Sequence, residues 1–575
     1  MHGLRLGAQR RKVAAFAALL LLFCCSSPLF AQSKFADRLP ANTTVYLEWH
    51  GSGAVLSSAA KNHLLQMALD PKLAPVWAGL IQSVRAQQGK PALELEFPDV
   101  ISLLSNPLVV GATELPATPA ASVPAKQPAQ HIATFLIYDA TGKAELVRKL
   151  KGANSQAGAW SSYDFRGTQV ESRSIGTEIT YRAQAANYYL LSDQKQVLED
   201  LIGRFGGTEQ PASSLMQVPQ YQEARKHIDA DAAIEFFFRL PDFTKWAAAP
   251  GAKGKLQPAQ MLAGLHLEKI HAAGGSLSFA GEATEMRGAI LGDTSAGGLF
   301  DLMGESRPTF VTEPLAGMGS SFSASRVNWA AGYKLLQEAL AGSLPPQQAA
   351  SVTMGEAMAQ SFLGMPIEDA LKLFTGEITS VTSYSEDGAP QALYAVTIQK
   401  PEAVLRILRA VAGHMITAED SAGATTYLDV AYPYRDPVSG TQRRKFYYVA
   451  VTPDMILVAP RKAMLRQAAS LLVSRSGAPA GALANPMYQL LRTRLPQNLS
   501  ALSAADLTQI PWDKLTANFE RQLEQNAKKQ NGAAPEAAAS WLKSIPPDVV
   551  SRHLKMSVGG SWKDANGFYI ESYIQ

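Results

Sequence analysis

The chain has 575 residues, 47% of them hydrophobic and 18% charged, which is the balance of a folded globular protein too long for a single hydrophobic core. Of its 53 Lys and Arg residues, four lie in the first 31 positions, which hold no acid, so the remaining bases balance the 49 Asp and Glu. A chain that is neutral beyond its N-terminus gives no electrostatic case for nucleic acid or anionic lipid as a partner.

The first element predicted is a secretory signal over residues 1–31. Arg5, Arg10, Arg11 and Lys12 precede the unbroken apolar stretch Val13–Phe23, followed by Pro28 and the small residue Ala31. A basic flank, a short apolar core and a small residue before the cut define such a signal. The stretch is shorter than the roughly 20 residues that span a bilayer. Lipoprotein anchoring at Cys24 or Cys25 is the weaker alternative, because Phe23 and Cys24 precede them where a small residue is wanted. A twin-arginine signal at Arg10-Arg11 lacks its flanking residues. Both cysteines fall inside the signal, so the mature chain would have no disulfide, no thiol nucleophile and no cysteine-ligated metal. Such a protein suits the bacterial periplasm or secretion from the cell.

Beyond the signal, Ala59–Leu69 reads as a helix with one apolar stripe. Residues 114–130 are rich in Pro and Ala and read as an exposed loop, since proline donates to neither ladder nor helix. Phe135–Tyr138 reads as a strand and Ala144–Lys151 as a helix. Glu171–Arg182 alternates about an Ile-Gly turn and reads as a hairpin. The strand Tyr188–Leu191 precedes a helix from Gln194, and Pro219 opens another. Residues 247–257 read as a second loop, and Gly275–Phe279 with Glu285–Leu291 as a strand pair. Later come helices at Ala331–Ala341, Glu402–Met415 and Lys462–Leu472 and strands at Tyr394–Ile398 and Met455–Val458. A polar stretch at 525–539 precedes the strand pair Ser557–Trp562 and Phe568–Ile574. No run after the signal is long and apolar enough to cross a membrane.

The chain also repeats. At an offset of 267, Ala183 falls on Ala450, Leu190 on Leu457, Lys195 on Lys462 and Leu198 on Leu465. The same offset carries Pro219, Tyr221, Gln222 and Arg225 onto Pro486, Tyr488, Gln489 and Arg492. Matched periodicity accompanies these identities, which predicts two tandem copies of an α+β module, at 32–293 and 306–575, each an antiparallel sheet backed by helices. In each copy Tyr and Arg at i and i+4 share a helix face, which would pin that helix to the sheet.

The opening Leu39-Pro-Ala-Asn-Thr-Thr-Val-Tyr-Leu47 and the element Asn485-Pro-Met-Tyr488, with its degenerate copy Val218-Pro-Gln-Tyr221, carry a resemblance. They resemble an uncharacterised family of exported bacterial proteins that open Leu-Pro-Ala-Asp-Thr and carry Asp- or Asn-Pro-x-Tyr helices. Asn42 and Val218 depart from that pattern. The resemblance implies an exported location and this architecture, and it assigns no catalytic residue.

Chemistry-bearing motifs are sparse. His266 and His271 are five apart, whereas metal sites want i and i+4 on a helix or i and i+2 on a strand. Ser58-x-x-Lys61 and Ser540-x-x-Lys543 have the spacing of a serine nucleophile with a lysine base, without the companion motifs that such enzymes carry. Gly317-x-Gly319 lacks the third glycine of a dinucleotide loop. Glu94 and Glu96 read as a hydrated pair, and Arg443-Arg444-Lys445 as a solvated strand end. Phe236-Phe237-Phe238 would bridge two packed layers, with a lipid or peptide groove as the functional alternative. No catalytic, cofactor or metal residue is assigned. Three readings remain: a non-catalytic envelope protein that binds or scaffolds a partner, a carrier of a lipid or other apolar ligand, and a serine-dependent hydrolase.

Overall fold

The computed structural model describes residues 35–77, 97–115, 132–152, 159–175, 178–207, 213–239, 266–279, 281–295, 297–344, 346–435, 441–474, 488–489, 492–515, 517 and 546–575. The signal, Glu94, Glu96, nearly all of the 114–130 loop, residues 247–257, residues 525–539, Ser540 and Lys543 lie outside them. Contacts divide the chain into two compact units. The first takes the described residues up to 239 with His271–Leu291, and the second takes nearly all the rest. No described helix is long and apolar enough to cross a membrane.

The first unit holds β1 (Thr43–Trp49), β2 (Leu108–Glu114), β3 (Ile132–Asp139), β4 (Ser161–Phe165), β5 (Thr168–Ile175), β6 (Glu178–Ala185), β7 (Tyr188–Ser192), β8 (Ile234–Arg239), β9 (Ile270–Ser278) and β10 (Thr284–Gly292). They pair in the order β10-β9-β8-β1-β2-β3-β7-β6-β5-β4. The sheet is antiparallel at every pair from β9 to β4. The helix Lys195–Phe205 buries Val197, Leu198, Leu201, Ile202 and Phe205, the one-sided spacing of an amphipathic helix, and packs on β3, β6 and β7. A core around Trp49, Leu65, Leu104, Tyr138, Tyr189 and Ile234 fills one side of the sheet.

The second unit holds β11 (Ser321–Arg326), β12 (Phe374–Tyr384), β13 (Pro390–Ile398), β14 (Ile416–Ala422), β15 (Thr425–Arg435), β16 (Gln442–Val451), β17 (Met455–Ala459), β18 (Ala501–Asp506), β19 (Met556–Lys563) and β20 (Gly567–Ile574). Their order is β20-β19-β18-β11-β12-β13-β17-β16-β15-β14, antiparallel throughout. Strand for strand, this is the order of the first unit. Register agrees as well where the sequences align: Ala183 faces Leu190 across β6 and β7, and Ala450 faces Leu457 across β16 and β17. Helices Pro401–Ala412 and Lys462–Ser474 follow β13 and β17, as Ala144–Gly152 and Lys195–Phe205 follow β3 and β7. Each unit is therefore a mixed α and β structure on a large antiparallel sheet.

One expected helix is broken. Ala59–Leu69 is the end of one helix, Gly53–Ala59, and a second, His63–Ala68. Asn62 takes an extended conformation, and its side chain accepts a hydrogen bond from the Leu65 amide, so it opens a new helix instead of continuing the old one.

Candidate functional site

The sequence of β1 sets up the site. Pleating sends Leu47 and Trp49 into the core and Tyr46, Glu48 and His50 to the opposite side. On the neighbouring strand β8, Glu235 stands directly opposite Glu48, and Phe237 opposite Tyr46. Gly51, at φ +88°, turns the chain away just after His50, whose backbone N–H donates to the Ala233 carbonyl.

A short helix, Pro219–Arg225, closes over this face. Pro219 sits in its first turn, where proline is well suited, and Val218 before it is extended. The helix approaches so closely that a Cβ on Gly274 would lie 2.9 Å from that of Ala224. Tyr221 thereby lands edge-on against Tyr46 and Phe237, with ring centroids 5.9 and 5.2 Å away.

The result is a buried polar cluster. Glu48, His50 and Glu235 are 2%, 8% and 1% exposed, and one donor atom from each lies within 4.8 Å of the others. His50 Nε2 is 3.7 Å from Glu48 Oε2 and 3.8 Å from Glu235 Oε2. The Tyr46 hydroxyl donates to Glu48 Oε2, and the Tyr221 hydroxyl donates to Glu235 Oε1. Arg225 Nη1 reaches Tyr221 Oη at 3.3 Å and Glu235 Oε2 at 3.5 Å, so the first of the two expected Tyr–Arg pairs pins its helix to the sheet through Glu235, whereas Arg492 of the second donates to the Pro496 and Gln497 carbonyls. Burial pushes the Glu235 carboxyl above its usual range, with Glu48 adding to the push and the Tyr221 bond opposing it. Burial and then Glu48 push the Tyr46 phenol upward, and burial does the same to Tyr221. Chemically, this is a buried set of two carboxyl groups and an imidazole, held by phenolic and guanidinium donors.

Other candidates are scattered. His266 pairs with Glu338 at 3.1 Å on an exposed surface. Ser58 lies in the last turn of the helix Gly53–Ala59 and Lys61 sits in the turn beyond its end, so the two are not on one helix as a serine–lysine pair would be. Gly319 admits the close backbone of β12: a Cβ there would meet Thr382 O at 2.4 Å, which is a packing role and not a phosphate loop. Phe237 is buried under Tyr221, whereas Phe236 and Phe238 pair on the other side of the strand with Phe238 partly exposed. Arg443, Arg444 and Lys445 lie exposed on β16 opposite Tyr434, Pro433 and Tyr432. A shallow depression at that end of the hairpin is lined by Pro433, Tyr434, Arg435 and Gln442.

The cluster of Glu48, His50 and Glu235 was missed from sequence. Tyr46-x-Glu48-x-His50 does carry the i, i+2 spacing of strand ligands, and that was the available signal. Glu235 joins it only through the β1–β8 pairing. No family model, curated protein or solved structure matches this chain.

Proposed function

We propose that the chain is an exported bacterial envelope protein, made of two tandem copies of one α+β module, that binds or scaffolds a partner without catalysing a reaction. The common strand order of the two units and the common register of Ala183–Leu190 and Ala450–Leu457 support the duplication. The basic flank, apolar stretch and Ala31 support export, and the opening motif supports kinship with the exported family it resembles.

One observation carries the binding reading. On the helix Pro346–Leu363, Met354, Met358 and Phe362 recur every fourth residue and are 64%, 67% and 64% exposed. Residues four apart share a helix face, and an exposed row of flexible methionines with an aromatic residue is a surface that a folded chain normally covers. Glu356 is the only charged residue of that helix, and it is tied to Tyr333 and Gln337 of the helix Trp329–Ser343. The bare face therefore suits an apolar partner surface that recognises shape more than charge.

A photo-cross-linking residue at Met358, in cells that carry the gene natively, tests this reading. A discrete adduct at Met358 that is missing at Gln360, which points elsewhere on the same helix, is expected. No adduct, or the same pattern at both sites, would count against it.

A further inference from the structure

We infer that Glu48, His50 and Glu235 bind one divalent transition-metal ion of the zinc class. The first ground is geometric. His50 Nε2 stands 3.7 and 3.8 Å from the two carboxylate oxygens, beyond hydrogen-bonding reach. Ligands about 2.1 Å from one zinc ion at a tetrahedral angle lie roughly 3.4 Å apart, so a small inward shift of these side chains suffices. Two carboxylates and an imidazole are hard and borderline donors, suited to Zn2+ or Mn2+ and not to a thiophilic ion. Three protein ligands leave a fourth position for water.

The second ground is the support around the ligands. Tyr221 holds Glu235 Oε1, while Oε2 faces both His50 Nε2 at 3.8 Å and Arg225 Nη1 at 3.5 Å. Tyr46 fixes Glu48, and Arg225 braces both Tyr221 and Glu235. Metal ligands are commonly oriented by such outer partners. Glu48 and Glu235 bring two formal negative charges and Arg225 one positive, so a dication is electrostatically welcome.

The third ground is independent of the cluster itself. Strand register sets Val45 opposite Phe238 and Ser321 opposite Ala505, and Phe238 and Ala505 are related by the repeat offset of 267. Tyr46, Glu48, His50 and Glu235 then correspond to Phe322, Ala324, Arg326 and Leu502. Phe322, Ala324 and Leu502 are buried members of an apolar core. Arg326 instead binds the carbonyls of Leu499 and Thr309. The positions of both carboxylates are thus apolar in the second unit, where the buried charges are instead the pair Arg326 and Glu377 at 3.7 Å, so packing at these two positions does not itself call for carboxylates. Their retention in the first unit has a use outside folding.

Chelator-treated full-length mature protein, titrated with Zn2+ by calorimetry and with Co2+ by visible absorption, tests the assignment. One equivalent should bind, and Co2+ should give the intense ligand-field bands of a low-coordinate nitrogen–oxygen site. His266→Ala should leave both signals unchanged. Glu48→Gln should weaken binding at least about 100-fold. Should that variant fold poorly, Glu48→Ala with Glu235→Leu installs the residues of the second unit. It should melt cooperatively and bind no ion at the same concentrations. Equal Zn2+ stoichiometry in wild type and the folded double variant would overturn the proposal, as would no binding by wild type.

Discussion

Glu48 and Glu235 face each other across β1 and β8 with both side chains sealed from solvent, and a tyrosine hydroxyl donates to each. Like charges directly opposite on a sheet are destabilising unless something offsets them. Here the offset comes from Tyr46, Tyr221, Arg225 and His50, and, on the inference above, from a metal ion.

Tyr221→Phe removes the donor to Glu235 Oε1 and the acceptor of Arg225 Nη1. It should cost about 1–3 kcal/mol of unfolding free energy, because a buried acceptor is left without its hydrogen bond. If the cluster holds an ion, the same change should weaken Zn2+ binding about tenfold, since Tyr221 orients a ligand without being one. Denaturant melts and calorimetry on one preparation read both effects.

The Glu235 carboxyl is raised in the folded state, by burial first. The folded protein therefore holds this proton more tightly than the unfolded chain does. The corresponding stability is fully present below the ordinary carboxyl range and is lost as pH rises through the raised value. In the presence of chelator, unfolding free energy measured from pH 4 to 8 should include this fall. Glu235→Gln should lack this fall, so the stability difference between wild type and variant should change with pH over that range. Parallel pH profiles would contradict the assignment.

Gly111 lies on β2 opposite Phe135, and a Cβ there would come within 2.3 Å of the Phe135 ring. Gly111→Ala should therefore destabilise by about 1–3 kcal/mol through overpacking. Gly355, on the exposed helix, has nothing within 4 Å of its would-be Cβ. Gly355→Ala should be neutral or stabilise by up to about 1 kcal/mol. Thermal melts of the two variants separate close packing from backbone entropy.

Leu190 and Leu457 are fully buried at matched positions, each opposite an alanine. Leu190→Ala and Leu457→Ala should each cost about 2–5 kcal/mol. If the units melt separately, each variant should lower only its own transition in a calorimetric scan.

Much of the fold was legible because its signals are periodic and local. The strands at Tyr188 and Met455 and the helices from Lys195 and Lys462 alternate or stripe cleanly, and identities at an offset of 267 line them up. Asn62 hid a helix break because a cap and a polar helical residue look alike in sequence. The candidate site was half legible. Tyr46, Glu48 and His50 share a strand face by spacing alone, but an alternating polar face ordinarily meets water. Only the pairing with β8 and the overlying helix with Tyr221 and Arg225 seal it, and such contacts between distant segments leave no pattern in a single sequence.

The most direct measurement is anomalous diffraction at the zinc edge from crystals of the protein grown with Zn2+. The account predicts a strong peak bounded by Glu48, His50 and Glu235 and none at Phe322, Ala324 and Leu502. A cluster without a peak in crystals that bind zinc elsewhere would contradict it.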